Sequence, residues 1–304
     1  MGSRPNLAKL IERILSPEAI SMAISEQTAQ YLADQTRKLL MKEPILLEIS
    51  GPINVIGDVH GQIDDLMRIF MSAGRPPGSR YLFLGDLVDR GHFSFEIVCL
   101  LFAMKLSYPD AIYFVRGNHE TVEMSYDFGF YSECRKKSSL KVFKAIHRAF
   151  DCFSVGAVVN NVFLCVHGGL SMRMRTLDSL RSMTKPYEID SLIDDILWSD
   201  PVHSDIETTG YHDSSRGNTF HYGREFTERF LQENGLIMII RGHEMVHDGY
   251  EFPFPGKQVL TVFSASSYMK EANKAAYVSI TTGNKYAITV MAKSKMARYP
   301  LNKM

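Results

Sequence analysis

Apolar positions along the chain follow two rhythms, and the change from one to the other divides the sequence. Up to about residue 45, Ile20, Ile24, Tyr31, Leu32, Leu39 and Leu40 approximate one helical face, so this stretch is predicted as helices. Ser16-Pro17-Glu18 reads as a helix start and Lys42-Glu43-Pro44 as a stop. Beyond it, short apolar runs alternate with amphipathic segments. Residues 53–56, 81–84 and 112–115 read as strands. Between them, Ile63, Leu66, Met67 and Phe70, then Phe95, Val98, Leu101 and Phe102, place one apolar stripe on each of two helices. The pattern is a βαβαβ run. The second half is richer in strand: 155–159 and 162–166 flank Asn160-Asn161, 276–280 and 286–291 flank Gly283-Asn284, and 236–240 and 259–263 add two more. No repeat, low-complexity tract or Pro/Ser-rich linker interrupts the chain. The expectation is one α/β domain over residues 1–304, with a helical cap at 5–44, a core at 45–292 and a flexible, mildly basic tail at 293–304.

Composition narrows the classes open to such a chain. With 304 residues and 45% hydrophobic content it can bury a full core without metal or disulfide staples. Its 34 Lys+Arg balance 34 Asp+Glu, which argues against gripping nucleic acid or an anionic membrane by bulk charge. No apolar run approaches the ~20 residues that span a bilayer, and no apolar signal core opens the sequence. Cys99, Cys134, Cys152 and Cys165 are scattered without the close pairs of a zinc or redox motif, so packed thiols in a reducing compartment are expected. The cytoplasm, the nucleus or both would suit these features.

The chemistry is concentrated immediately after the strands. Residues 53–56 run into Gly57-Asp58-Val59-His60-Gly61, 81–84 into Gly85-Asp86-Leu87-Val88-Asp89-Arg90-Gly91, and 112–115 into Arg116-Gly117-Asn118-His119-Glu120. Later, 162–166 leads to His167-Gly168-Gly169 and 236–240 to Arg241-Gly242-His243. In α/β sheets the carboxyl ends of strands line the ligand crevice, so these five loops can converge on one point. A lone Asp before a turn is usually a cap, and a lone buried His is usually just hydrogen-bonded. Five strand-end repetitions outweigh those readings. Asp58, His60, Asp86, Asn118, His167 and His243 would supply a mixed oxygen and imidazole shell without thiolate, suited to Mn, Fe or Zn. A central Asp86 could bridge two metals ~3.5–4 Å apart, the spacing of two-metal phosphoester hydrolysis.

The Gly-Asp-Val-His-Gly-Gln, Gly-Asp-Leu-Val-Asp-Arg-Gly and Gly-Asn-His-Glu motifs resemble, in order and spacing, the signatures of the phosphoprotein phosphatase family of serine/threonine phosphatases. The similarity continues through Leu197-Trp198-Ser199-Asp200-Pro201, Arg216-Gly217 and Phe263-Ser264-Ala265, covering about residues 16 to 292. The Glu43-Pro44-Ile45-Leu46-Leu47-Glu48 lead-in is most similar to protein phosphatase type 1. The resemblance implies a metallophosphoesterase-type central β-sandwich flanked by helices, with the active site at the C-terminal ends of the strands. It implies two divalent metal ions per chain, Mn2+ in the purified protein with Fe and Zn as native alternatives. One would be held by Asp58, His60 and Asp86, the other by Asp86, Asn118, His167 and His243. Arg90, Arg216, Asn118 and Tyr268 would bind the substrate phosphate. His119 would be the general acid, oriented by Asp89, while a dimetal-bridging hydroxide attacks phosphoserine or phosphothreonine directly. Phosphoprotein substrates and regulatory or targeting subunits are the implied partners, with neither nucleic acid nor membrane among them.

The resemblance has local departures. Leu87 replaces a usual Tyr, and Ser264-Ala265-Ser266-Ser267-Tyr268-Met269 replaces a loop with Pro and Asn at its third and fourth positions, so a looser loop is expected. Phe252 matches one aromatic position of the type 1 docking groove, while Thr289 stands at another. Two other readings compete: the same dimetal site acting on a nucleotide, and a catalytically dead scaffold. The second would be expected to lack a ligand or the acid, and none is missing.

Overall fold

Residues 4–16, 23–203, 209–214, 216–217 and 219–292 are described by a computed structural model of the chain. Two helices, α1 (Leu7–Leu15) and α2 (Glu26–Leu40), lead into β1 (Leu46–Ile49) and β2 (Ile53–Ile56). Then come α3 (Ile63–Ala73), β3 (Tyr81–Phe83), α4 (Ser94–Ser107) and β4 (Ile112–Phe114), the predicted βαβαβ run, with β2, β3 and β4 pairing in parallel. Three helices come next, α5 (Val122–Phe128), α6 (Phe130–Lys137) and α7 (Leu140–Phe150), before the hairpin of β5 (Gly156–Val159) and β6 (Phe163–Val166). Its turn is centred on Asn160-Asn161, both at positive φ, with the Val162 N–H returning to the Val159 carbonyl at 3.1 Å. The rest comprises α8 (Asp178–Arg181), α9 (Ser191–Trp198), β7 (Asp200–Pro201), β8 (Tyr211–Asp213), β9 (Phe220–Tyr222), α10 (Arg224–Asn234), β10 (Met238–Arg241), β11 (Tyr250–Glu251), β12 (Val259–Val262), β13 (Ala275–Ile280) and β14 (Tyr286–Met291).

The strands form a six-stranded sheet, β1-β5-β6-β10-β12-β11, a five-stranded sheet, β14-β13-β2-β3-β4, and a small three-stranded sheet. One apolar core joins side chains from both large sheets, including Val55, Leu82 and Val278 from one and Val159, Cys165 and Ile240 from the other. This is the expected sandwich. Helices cover both outer faces, α1 to α4, α6 and α7 over the five-stranded sheet and α8 to α10 over the six-stranded one. All four cysteines are buried and unpaired, and no helix among the described residues is long and apolar enough to cross a membrane.

Two expectations need correcting. The stripe predicted for α4 is not a stripe, since every residue from Ser94 to Lys105 is buried. Helices α1 and α2 pack across its outer face, so α4 is apolar nearly all round. Strand β1 was not predicted because four residues with little alternation carry no period. Pro17, Glu18 and Ile20 of the predicted first helical segment lie outside the described residues, as does the tail at 293–304. The helix α2 is capped by Ser25, whose hydroxyl accepts the Thr28 N–H.

One buried group carries a stability prediction. His147 on α7 sits among Phe130, Phe143 and Phe150, with no hydrogen-bond partner for either ring nitrogen. Burial, and then the Arg116 charge, push its pKa down to about 3. The folded state therefore refuses a proton that the unfolded chain takes up below its ordinary value near 6.5, so stability falls as pH drops from 6.5 towards 3 and is unaffected above. His147→Phe is expected to flatten the acid limb of the unfolding midpoint by up to about 1.4 kcal/mol per pH unit. Parallel wild-type and variant curves in denaturant titrations between pH 4 and 6.5 would refute it.

Candidate active site

Five loops leave the carboxyl ends of β2, β3, β4, β6 and β10 and meet at one end of the sandwich. The backbones approach closely. A methyl group on Gly85 would come within 2.3 Å of the Gly117 nitrogen, which only a glycine at φ 101° avoids. His60, Asp86, Asp89, Arg90 and His243 all take positive φ between 44° and 71°, turning their side chains into the cleft at a cost in backbone strain. No sequence signal announces that strain.

The structure brings all six proposed ligands together. His60 donates its Nδ1–H to the Val88 carbonyl at 2.8 Å, which leaves the Nε2 lone pair facing Asp86 Oδ2 at 3.4 Å and Asp58 Oδ2 at 3.7 Å. His167 likewise donates Nδ1–H to the Leu84 carbonyl at 2.8 Å, and its Nε2 faces the other carboxylate oxygen, Asp86 Oδ1, at 3.3 Å. Asp86 therefore lies between the two halves of the cluster, one oxygen to each. Asn118 Oδ1 is 2.9 Å from His167 Nε2 and 3.2 Å from His243 Nδ1. In this orientation an amide oxygen faces an imidazole lone pair, a repulsive contact unless a cation lies between them; turned over, the amide would donate to the same atoms. Asp58 Oδ2 and His243 Nε2 are buried without a hydrogen-bond partner. Among the described residues two groups could each hold a cation, His60, Asp86 and His119 on one side and Asp86, His167 and His243 on the other, with Asp58 beside the first and Asn118 beside the second. His119 Nε2 also comes within 3.9 Å of Asp86 Oδ2, at the edge of the first group.

Charge tells the same story. Burial pushes the Asp58 carboxyl up to about 7 and Asp86 well above the carboxylate range, the latter aided by the Asp58 charge. Burial holds the His60, His167 and His243 imidazoles well below their ordinary value. Desolvation disfavours the charged form of both, so the acids retain protons and the imidazoles shed them, and bound cations would reverse the first tendency.

Around the cluster stand the other expected residues. His119 Nδ1 is 2.7 Å from Asp89 Oδ2, and the other Asp89 oxygen accepts the Phe130 N–H at 2.8 Å. Arg90 is exposed, its guanidinium 3.8 Å above the Phe128 ring. Arg216 Nε is 2.5 Å from Asp200 Oδ2. The Tyr268 ring stacks on His60 at 5.0 Å between centroids. A cleft of about 520 Å³ opens beside Arg90 and Tyr268.

Several supporting residues were not singled out in the sequence. Glu120 gathers the backbone N–H groups of Asp86, Leu87 and Gly117 at 2.8 to 2.9 Å, fixing the loop that carries Asp86. Asp200 binds Arg216 through one oxygen and Arg241 through the other, at 2.6 Å. Both lie inside the quoted motifs, the only signal that could have found them. The loop bearing Tyr268 corrects an expectation. It is not loose: Ser266 is held by Asp65, and Tyr268 N–H donates to Asn273 Oδ1 at 2.8 Å.

Residues 51–247 match the model of the calcineurin-like phosphoesterases. Among solved structures the chain resembles a protein serine/threonine phosphatase from Saccharomyces cerevisiae with similarity to human phosphatase PP5. The two are 27% identical with a TM-score of 0.86, over 95% of this chain and 97% of that one. A cold-active protein-tyrosine phosphatase from a psychrophilic Shewanella shares the fold, at 17% identity and a TM-score of 0.54 over 82% and 83% of the two chains.

Proposed function

The chain belongs to the calcineurin-like phosphoesterase family, in its phosphoprotein phosphatase branch, and from that premise we propose that it is a metal-dependent serine/threonine protein phosphatase. The observation that carries the reading is the His119–Asp89 pair standing with Arg90 beside a two-cation ligand cluster. Two divalent cations, Mn2+ or Fe and Zn, would be held by the two ligand sets and supply Lewis acidity and a nucleophile drawn from water.

The protein's own groups do the rest. Arg90 and Arg216 offer guanidinium forks that stay charged at any working pH and match phosphate oxygens in pairs. Asp200 holds Arg216 by Nε, leaving its terminal nitrogens for substrate. The ring of Phe128 supports Arg90 from below. A serine or threonine alkoxide is a poor leaving group, so a proton must reach it as the ester bond breaks. His119 Nε2 is the donor, with Nδ1–H anchored on Asp89 so that the ring cannot turn. Burial, then Arg90, lowers His119 to about 3, and burial raises Asp89 to about 7. The free pair thus favours a single shared proton. A phosphate dianion on Arg90 offsets that repulsion and draws in the second proton that the acid needs. Tyr268, stacked on His60, closes the cleft from the far side. Regulatory subunits and a cytoplasmic or nuclear setting accord with this role.

Turnover of a phosphoserine peptide, a dinucleotide polyphosphate and p-nitrophenyl phosphate, each with and without chelator, tests the proposal. Hydrolysis of the peptide that chelation abolishes and Mn2+ restores is the expected result. Preference for the dinucleotide would assign the site to nucleotides, and inactivity with Mn2+ bound would make the chain a scaffold.

A further inference from the structure

The loop that carries Tyr268 is an unusual piece of backbone. Ser267, Met269 and Lys270 all take positive φ, at 53°, 51° and 70°, without a glycine among them. Left-handed geometry at three side-chain-bearing residues is unfavourable, so the loop keeps this path only if something else holds it. Tyr268 lies in the middle of it, and Met269 is 58% exposed, so packing on the outer side does not hold it.

The restraint comes from the other side, through a residue that belongs to no motif. Asp65, in the first turn of α3, is 2% exposed. Its Oδ2 accepts the Ser266 N–H at 2.6 Å and its Oδ1 the Ser266 hydroxyl at 3.0 Å. Arg68, one turn on, donates to the same Oδ1 at 2.9 Å and passes its second terminal nitrogen to the Ala292 carbonyl at 2.6 Å. Burial raises the Asp65 pKa, while the Ser266 bonds and Arg68 counter it. A buried carboxylate would not be stable here without these donors.

We infer that Asp65 is a positioning residue for the reaction, a clamp from α3 that grips Ser266 at the entrance of the loop and so sets Tyr268 over His60 and the substrate phosphate. The inference rests on the phosphatase reading. Charge-assisted bonds from one carboxylate to both polar groups of one serine are strong and directional, whereas the loop's own geometry favours departure. Asn273 completes the hold from beyond, accepting the Tyr268 N–H and donating to the Ala265 carbonyl at 2.7 Å. Because Asp65 touches no proposed ligand or reacting atom, its loss should act on binding rather than on the chemical step.

The test compares wild type, Asp65→Ala, Ser266→Ala and the double variant, all loaded with Mn2+, with a phosphoserine peptide as substrate. Expected are a KM raised about tenfold by Asp65→Ala, little change in kcat, and a double variant no worse than Asp65→Ala alone, since the hydroxyl bond that Ser266→Ala deletes is one that Asp65→Ala already removes. A second arm replaces Ser266 by Pro in the Asp65→Ala background. With the carboxylate gone, the missing N–H of proline leaves nothing unpaired, and its fixed φ restores stiffness, so KM should return to within about twofold of wild type. A third readout is independent of activity. Trypsin should cut after the exposed Lys270 about tenfold faster in Asp65→Ala, with fragments mapped by mass spectrometry and the thermal midpoint measured alongside. An unchanged KM, additive single effects, or failure of proline to rescue would overturn the clamp. If the wild type cleaves no phosphopeptide, the phosphatase reading fails, and the tryptic arm still decides whether Asp65 holds the loop. Should Asp65→Ala not fold, Ser266→Ala, which loses the hydroxyl bond but keeps the N–H bond, must show a smaller KM rise and faster cleavage, or the inference falls.

Discussion

Asp86→Asn is expected to lower kcat/KM on a phosphoserine peptide by about 10³-fold or more and to reduce bound metal from two ions to one or none. The two carboxylate oxygens of Asp86 face opposite halves of the ligand cluster, His60 at 3.4 Å and His167 at 3.3 Å. An amide offers one weakly basic oxygen where two anionic ones stood, so it cannot serve both sites, and several kcal/mol of transition-state charge stabilisation go with it. The fold should survive, because Asn is nearly isosteric and the Asp86 backbone N–H stays anchored on Glu120 at 2.8 Å. Metal analysis with a thermal melt checks this directly. Two ions retained with near-normal turnover would remove Asp86 from the bridging position.

His119→Asn is expected to lose ~10²-fold or more on phosphoserine but much less on p-nitrophenyl phosphate. The difference lies in the leaving group. A serine alkoxide must be protonated as it departs, whereas p-nitrophenolate leaves readily without a proton. His119 is held by Asp89 at 2.7 Å, and the opposite ring nitrogen points into the cluster, within 3.9 Å of Asp86 Oδ2. That proximity admits another role, as a ligand of the first cation. The two substrates separate the roles, because losing a ligand would slow both equally. Equal losses would take His119 out of the acid role and assign it to the metal.

Much of this is legible in the sequence. The βαβαβ run, the hairpin at Asn160-Asn161 and the strand-end motifs follow from local pattern, since alternation and turn chemistry act over a few residues. The full burial of α4 is not legible there, because its outer face is covered by α1 and α2, which are distant in sequence. Likewise, the departures at Ser266 and Ser267 suggest looseness when judged by local stiffness alone. Asp65, 201 positions away, supplies the restraint instead.

The identity of the chemistry therefore belongs to the sequence alone: which residues can ligate, which can clamp phosphate and which can carry a proton follow from side-chain type and spacing after each strand. Tertiary structure decided the geometry. Only the closed sandwich brings Asp58 and His243 into hydrogen-bond contact at 2.8 Å across 185 positions. Only there do burial and mutual repulsion raise the acids and lower the imidazoles, and only there does Glu120 gather three N–H groups beneath Asp86. The physical reason is range. Propensity and turn chemistry are properties of neighbouring residues, whereas desolvation, charge coupling and backbone strain depend on everything that folding packs around a group.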